Sequence, residues 1–476
     1  MTALGLMGLG VMGANLAQNF VDHGARLALY DPSAGAADRL VRQLGDKGTA
    51  CADPPALAAA LPAPRAIFLM VPAGGPTDTA IDSLLPHLAA GDVIIDGGNA
   101  FYKDTARRQA RCAAARVHLL GFGVSGGAEG ARHGPAIMAG GDRAALAPFE
   151  SLFSAIAARA PDGTPCFARV GDGAAGHFVK TVHNGIEYAH MQLIAEAWQM
   201  LRRLLGLPHA EVRELFARWA RGALSSFLME CAVRALDTMD PADGTPLIDR
   251  IIDTAEQKGT GQWTANAALE YGVAAPTLAE AVHARCLSAL KPARLAAAAA
   301  MGTPTIAFAG DRQALVAALE KALLAANIAV LAQGFALIAA ADAEHKWGIE
   351  PAVVARVWRG GCIIRSTLLE PIAEALTATP DLDNLLRHPP LWRRVASGDA
   401  EWRQVVVTAV AHGVPAPAFT SALAYVDGLR TGRLWADMIA AQRDIFGQHG
   451  FARFDAPGRH HADWAALDLA PRGGGR

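Results

Sequence analysis

Short apolar runs punctuate the first third of the chain, at 3–6, 26–30, 66–71, 93–95 and 117–120, and each leads into Gly, Pro or Asp. Between them the apolar residues recur at helical spacing. Strands alternating with helices predict right-handed βαβ units and a parallel sheet covered on both faces. A Gly/Pro-rich passage over 161–176 closes this region. Beyond it strand signals nearly vanish, and Ala- and Leu-rich segments at helical spacing run to about residue 432, which predicts an all-helical domain. The remainder opens with a helical stretch through Ala441 and Phe446. It then turns irregular at Gly447, Gly450, Pro457 and Gly458. Such a tail cannot bury a core of its own, and is expected to be disordered or to lie on another surface.

The whole-chain figures narrow the class. A chain of 476 residues calls for two or three domains. With 43 Lys plus Arg against 45 Asp plus Glu, the net charge of −2 speaks against nucleic acid as the main partner. No uninterrupted apolar stretch reaches the roughly 18 residues of a membrane span. The apolar opening lacks a basic n-region, Arg26 being its first cation, so a buried strand running into a helix is expected rather than a signal peptide. Six cysteines, scattered singly without a C-x-x-C pair, fit reduced thiols and a cytoplasmic location.

Gly8-Leu9-Gly10-Val11-Met12-Gly13 follows the first strand and opens a helix. Glycines there permit a tight turn, close backbone approach to a pyrophosphate and close contact between helix and strand, while the helix N-terminus offers amide hydrogens to phosphate. The same G-x-G-x-x-G pattern recurs at 121–126 and 171–176, so the pattern alone is weak. Only the first copy begins a βαβ unit with an acid, Asp31, at the end of the next strand; the third is expected to be a flexible joint between domains. An acid at that position bonds the adenosine ribose and repels a 2′-phosphate, and Pro32 and Ser33 follow it where an arginine would suit NADP. NAD is therefore the expected cofactor, with NADP possible. The organisation expected is an α/β dinucleotide-binding (Rossmann-like) domain over 1–174, a large all-α domain over 175–432 and an extended C-terminal tail over 433–476.

Candidate chemistry concentrates in 176–188. In a helix, Lys180, His183, Asn184 and Glu187 fall at i, i+3, i+4 and i+7 and share one stripe. The flanking positions are apolar, which favours a site beside the cofactor cleft over a solvated face. Val124-Ser125-Gly126-Gly127 and Asp96-Gly97-Gly98-Asn99 end successive strands, on the sheet edge where ligands bind in open α/β folds.

These stretches, together with 257–264, 284–291, 358–366 and 441–447, resemble the long, decarboxylating 6-phosphogluconate dehydrogenases over nearly the whole chain. The resemblance implies oxidative decarboxylation of 6-phosphogluconate to ribulose 5-phosphate, serving pentose phosphate flux or gluconate breakdown. It implies Lys180 as general base and Glu187 as the acid that protonates the product carbon. Ser125, Gly126 and Gly127 would hold the carboxylate, and Asn99, His183 and Asn184 would orient the hydroxyls. Tyr188, Lys258, Thr260 and Arg285 would hold the phosphate, completed by Arg443 and His449 of a second subunit, so that a homodimer exchanges its tails. Val71, Pro72 and Ala73 would line the cofactor site. No metal is implied, and the His460-His461 pair with Asp463 is not expected to bind one.

Two departures from the family pattern stand out. Its NADP-using members carry Asn-Arg-Thr or similar at 31–33 and often a lysine at Pro72; both replacements here remove positive charge. Ala128, followed by Glu129, stands where the family has an acid, which puts a minor cofactor contact in doubt. Two other functions remain open at this point. One is a related 3-hydroxyacid dehydrogenase for another substrate, the other a non-catalytic NAD-binding assembly protein.

Overall fold

The computed structural model describes residues 2–257, 259–303 and 307–464, and the chain forms two compact units, Met1–Leu423 and Ala424–Arg476. In the first unit the apolar runs become strands β1 (Ala3–Met7), β2 (Arg26–Tyr30), β4 (Ala66–Leu69), β5 (Val93–Asp96) and β6 (His118–Ser125). Three more strands complete the sheet: β3 (Gly48–Ala50), β7 (Ala136–Gly140) and β8 (Phe167–Gly171). The order is β3-β2-β1-β4-β5-β6-β7-β8.

The sheet is not wholly parallel, as the alternating pattern had led us to expect. β6 and β7 pair antiparallel, with Gly121 opposite Gly140 and Ser125 opposite Ala136, and β8 then runs parallel to β7. The cause lies in the connection. Only the short helix Gly127–His133 separates the two strands, too little chain for a crossover of a dozen or more residues.

Alternation along the strands sorts side chains to two faces. Phe68 and Phe122 meet Phe20 and Phe153 edge-on on one face, with ring centroids 4.8–6.2 Å apart. Ile67, Leu69, Ile94 and Leu119 fill the other. Each such side chain contributes roughly 1.5–3 kcal/mol on burial.

From Ala175 onward the first unit is helical. The 25-residue helix Ala175–Gln199 runs from the sheet into the helical region, where the 34-residue helix Arg312–His345 crosses it. A Cβ at Gly334 would sit 2.5 Å from Ile186 Cδ1, so that glycine sets how closely the two helices approach. Arg312–His345 is long and apolar enough to cross a membrane, but 78% of its most apolar window is buried inside the protein. A buried core helix reads the same way by composition.

The second unit contains the helix Ala436–Gly447 and a small hairpin, Phe451–Ala452 against Arg459–His460. Among its described residues the tail after 432 is organised around a polar centre rather than an apolar one. Asp444, 2% exposed, accepts hydrogen bonds from the Gly450 and Ala462 amides, from His461 Nδ1 and from Trp464 Nε1. Burial opposes ionisation of this carboxyl, but the four donors outweigh it and hold its pKa well below the usual range. His461 is thereby engaged in the tail's own structure, and His460 Nε2 lies 3.1 Å from the Pro457 carbonyl.

Candidate functional site

The first glycine loop is built for a ligand. Gly8 has φ +97°, and a Cβ there would lie 2.4 Å from the Met70 carbonyl oxygen; one at Gly13 would lie 2.0 Å from the Gly8 oxygen. These two glycines close the turn against the sheet and the helix. Gly10 differs: a Cβ on it meets nothing within 4 Å, because it faces open space. It is also the N-cap of the helix Val11–Asp22 and offers no side-chain cap, which leaves the first-turn amides to a ligand.

The open space is a cavity of about 1110 Å³ along the carboxyl ends of β1, β2, β4, β5 and β6. Gly8, Gly10, Val11, Met12, Gly13, Asp31, Pro32, Ser33, Val71, Pro72, Ala73 and Asn99 all line it. Leu9 is the exception among the expected cofactor residues. Its side chain packs on the core, and its amide donates to Asp31 Oδ2 at 2.6 Å. The other Asp31 oxygen accepts from the Ser33 amide at 2.8 Å. Burial pushes this carboxyl up, but the two amides outweigh it and leave the pKa lowered, so Asp31 meets a ligand as an anion. No Lys or Arg lines the cavity among the described residues.

The second and third glycine patterns serve close contact between helix and sheet, not phosphate. A Cβ at Gly176 would lie 2.2 Å from the Gly121 oxygen, and one at Gly123 would lie 2.5 Å from Lys180 Cβ. The 171–176 stretch is thus no flexible joint: its last residue is wedged against β6 and β7. The helix Ala175–Gln199 therefore rests directly on the sheet, with Lys180 above Gly123, which lies two residues before Ser125 on β6.

Every residue of this helix from Ala175 to Ile186 is buried, polar ones included, which excludes a solvated stripe. Lys180 Nζ lies 3.2 Å from His183 Nδ1, and Glu187 Oε2 lies 3.7 Å from the same nitrogen. The other ring nitrogen, Nε2, is 3.1 Å from Ser125 Oγ, and the Trp358 ring packs edge-on against the imidazole. Asn184 Nδ2 donates to Asn99 Oδ1 at 3.2 Å. Since Asn99 also lines the cavity, the stripe and the dinucleotide site are continuous.

Electrostatics sharpen the arrangement. Burial pulls the Lys180 pKa down, against the partial opposition of Glu187. Burial also pushes the Glu187 pKa up, against Lys180 and Arg285. His183 is held neutral, its pKa well below the ordinary value through burial and the nearby Lys180. Both ends of the stripe are thus driven toward their uncharged forms, an amine able to take a proton and a carboxyl able to give one.

The residues expected at the phosphate are partly brought together in this unit. The Arg285 guanidinium carbon stacks 3.5 Å from the Tyr188 ring centroid, beside Glu187, and burial lowers its pKa. Thr260 is buried in the first turn of the helix Thr260–Glu270. Lys258 lies outside the described residues. Arg443 and His449 belong to the second unit, where both are exposed. His449 packs edge-on against Phe446.

Several contributors were not visible in the sequence. The Ile363 amide donates to Ser125 Oγ at 3.4 Å, and the Gly361 carbonyl abuts Gly126. Thr264 Oγ1 donates to the Thr181 carbonyl at 2.6 Å, and a Cβ at Gly185 would strike its side chain. The resemblance had marked the stretches 176–188, 257–264 and 358–366 that hold these residues, but it assigned none of them a role.

A cavity shaped for a dinucleotide, opening beside an amine and a carboxyl both shifted toward their uncharged forms, defines a nicotinamide-dependent dehydrogenase acting on a hydroxylated carbon. Comparison with known proteins carries this further. Residues 3–171 match the NAD binding domain of 6-phosphogluconate dehydrogenase, and residues 176–464 match the C-terminal domain of 6-phosphogluconate dehydrogenase. The chain belongs to the 6-phosphogluconate dehydrogenase family. It is 43% identical to the NADP(+)-dependent, decarboxylating 6-phosphogluconate dehydrogenase of Bacillus subtilis, covering 97% of this chain and 98% of that one. The decarboxylating enzyme of Cunninghamella elegans is 44% identical over 99% and 97% of the two chains. The solved Plasmodium falciparum 6-phosphogluconate dehydrogenase, studied in its apo form and in complex with NADP+ and with 6-phosphogluconate, superposes with a TM-score of 0.93. It is 33% identical, over 97% of this chain and all of that one.

Proposed function

We infer that this chain converts 6-phospho-D-gluconate to ribulose 5-phosphate and CO2, with a nicotinamide dinucleotide as oxidant. The observation that carries this is the stripe, in which buried Lys180 and half-buried Glu187 flank His183 beside the cavity. A bound nicotinamide supplies the hydride acceptor. Lys180, as the free amine, takes the C3 hydroxyl proton while that carbon is oxidised. The new carbonyl is β to the carboxylate, so CO2 leaves with its bonding electrons delocalised toward the C3 oxygen. Lys180, now protonated, returns its proton to that oxygen and gives an enediol. Glu187 then protonates the carbon that becomes C1 of the product, while Lys180 takes the hydroxyl proton back and leaves the ketone.

Ser125, Gly126 and Gly127 receive the carboxylate, and Asn99, His183 and Asn184 orient the hydroxyls. Tyr188, Lys258, Thr260 and Arg285 hold the phosphate, with Arg285 presenting a planar donor fork. Arg443 and His449 of a second copy complete it, so the active unit is a homodimer with exchanged tails. Two features support this. The tail helix exposes Met438, Ile439, Ile445 and Phe446, and the helix Lys291–Met301 buries no residue within its own chain. Six unpaired cysteines fit a cytoplasmic location.

We further infer a preference for NAD. The names of relatives point to NADP, but the charged residue lining this cavity is the anion Asp31; Arg39 acts on that carboxylate from outside the lining, and no Lys or Arg lines the cavity itself among the described residues. A 2′-phosphate would meet a carboxylate. An assay at 340 nm with 6-phosphogluconate, run with NAD and NADP in parallel, tests both inferences. Turnover with a higher kcat/KM for NAD is expected. No turnover with either sinks the reaction, and a higher value with NADP sinks the preference alone.

A further inference from the structure

Behind the cavity, the helix Tyr102–Ala114 carries an arginine with no exposed surface, Arg108. Its Nη2 donates to the Gly74 carbonyl at 2.8 Å and its Nε to Asp78 Oδ1 at 2.9 Å. Both partners belong to the start of the helix Gly75–Leu84, which with 71–73 forms one wall of the cavity. The hydrogen bond from Arg108, backed by Arg107 and opposed by burial, holds the Asp78 carboxyl down at about 2, so this attachment is a charged one.

The third nitrogen, Nη1, points at Asp96 Oδ2 but stops 3.7 Å away. Both residues are wholly buried, and both atoms lack a hydrogen-bond partner among the described residues. Asp96 Oδ1 accepts from the Gly98 amide at 3.0 Å and so shapes the turn that carries Asn99. Asn99 in turn bonds Asn184 on the stripe. A buried guanidinium and carboxylate facing each other without a hydrogen bond bear desolvation with no full return. Closing to a charged hydrogen bond of about 2.8 Å needs less than about 1 Å of movement between the end of β5, which leads into the 96–99 turn, and the helix Tyr102–Ala114, which Arg108 ties to the 71–83 wall through Gly74 and Asp78.

We propose that Arg108 is a positioning residue that couples the dinucleotide cavity to the substrate stripe. A dinucleotide touching both loops draws the 71–83 wall toward the 96–99 turn, the Arg108–Asp96 contact closes, and Asn99 is fixed against Asn184 where the sugar acid binds. Coupling of this kind is reciprocal, so each ligand tightens the other by the same factor. The proposal rests on the dehydrogenase reading above, and the experiment separates the two.

The dissociation constant of 6-phosphogluconate is measured by calorimetry on the full-length protein, alone and with saturating NADH, which cannot support oxidation. Wild type is expected to bind the sugar acid at least about fivefold more tightly with NADH present. Arg108→Met should bring that factor close to one while leaving the affinity without NADH within about twofold of wild type. Arg108→Lys, which keeps the charge but not the three-way fork, should recover part of the factor. If Arg108→Met does not fold by circular dichroism, Asp96→Asn decides, with the same loss of coupling expected. Equal coupling in a folded variant and in wild type overturns the proposal, as does wild type binding both ligands without coupling. Failure of wild type to bind 6-phosphogluconate at all overturns the functional reading instead.

Discussion

Two regions of this site are made of opposite materials. The dinucleotide cavity is mostly backbone and small apolar side chains, with Gly8, Gly10 and Gly13 shaping the turn and Asp31 as its charged group. The stripe on Ala175–Gln199 is all side chain: a buried amine, imidazole and amide and a half-buried carboxyl, within hydrogen-bond or near contact of one another on a helix that lies on the sheet. The cavity recognises by shape and amide direction, which tolerates many sequences. The stripe works by displaced proton affinity, which tolerates few. Single substitutions should therefore cost most on the stripe and least at the cavity.

The largest effect expected is from Lys180→Ala, a loss in kcat of roughly 10²–10⁴-fold while calorimetry still detects substrate. Activity within tenfold of wild type would remove Lys180 as the base. For Glu187→Gln we expect a fall of about 10²-fold and a changed pH profile. In wild type, kcat/KM drops as pH falls through the lowered Lys180 pKa, because the ammonium cannot accept a proton. It drops again as pH rises through the raised Glu187 pKa, because the carboxylate cannot donate one. Glu187→Gln should lose the alkaline limb; a limb that persists would assign it to another group.

Arg285→Ala should raise KM for 6-phosphogluconate by about tenfold or more, with a smaller change in kcat. An equal loss with a substrate analogue lacking the phosphate would argue against a phosphate contact. Arg443→Ala should raise KM by a smaller factor, and an unchanged KM would place the tail outside the site. The smallest effect falls in the cavity. Asp31→Asn should move the NADP-to-NAD ratio of kcat/KM toward NADP by about tenfold, the worth of one nearby charge at intermediate dielectric. No movement would mean that Asp31 does not face the ribose.

The contrast also explains what could be read from the chain alone. Strands β1, β2, β4, β5 and β6 announced themselves as apolar runs because they are buried on both faces. β3 is too short, and β7 (Ala-Ile-Met-Ala-Gly) too poor in β-branched residues, to stand out from helical sequence. The glycine loop was legible through its spacing, Asp31 through its place after β2, and Val71, Pro72 and Ala73 only through the family resemblance; Leu9 contributes its amide to Asp31 and not its side chain to the ligand. The stripe was legible as periodicity, but its burial was not, since that depends on β6 offering Gly121 and Gly123 to the helix. Asp444 gave no signal, because its four donors come from residues 450–464 and meet only once the tail folds back.

The missing side chain at Gly123 has a wider consequence. With only a hydrogen atom between strand and lysine, the depth of the whole proposed catalytic row is metered by that single vacancy in the sheet. Anything larger at 123 would lift the row as one rail, shifting its members together. New substrate preferences can then arise through groups that look onto the rail, such as Arg285 or Ser125, whereas the spacing along it is locked to the sheet beneath. Divergence within this architecture is channelled toward the rim.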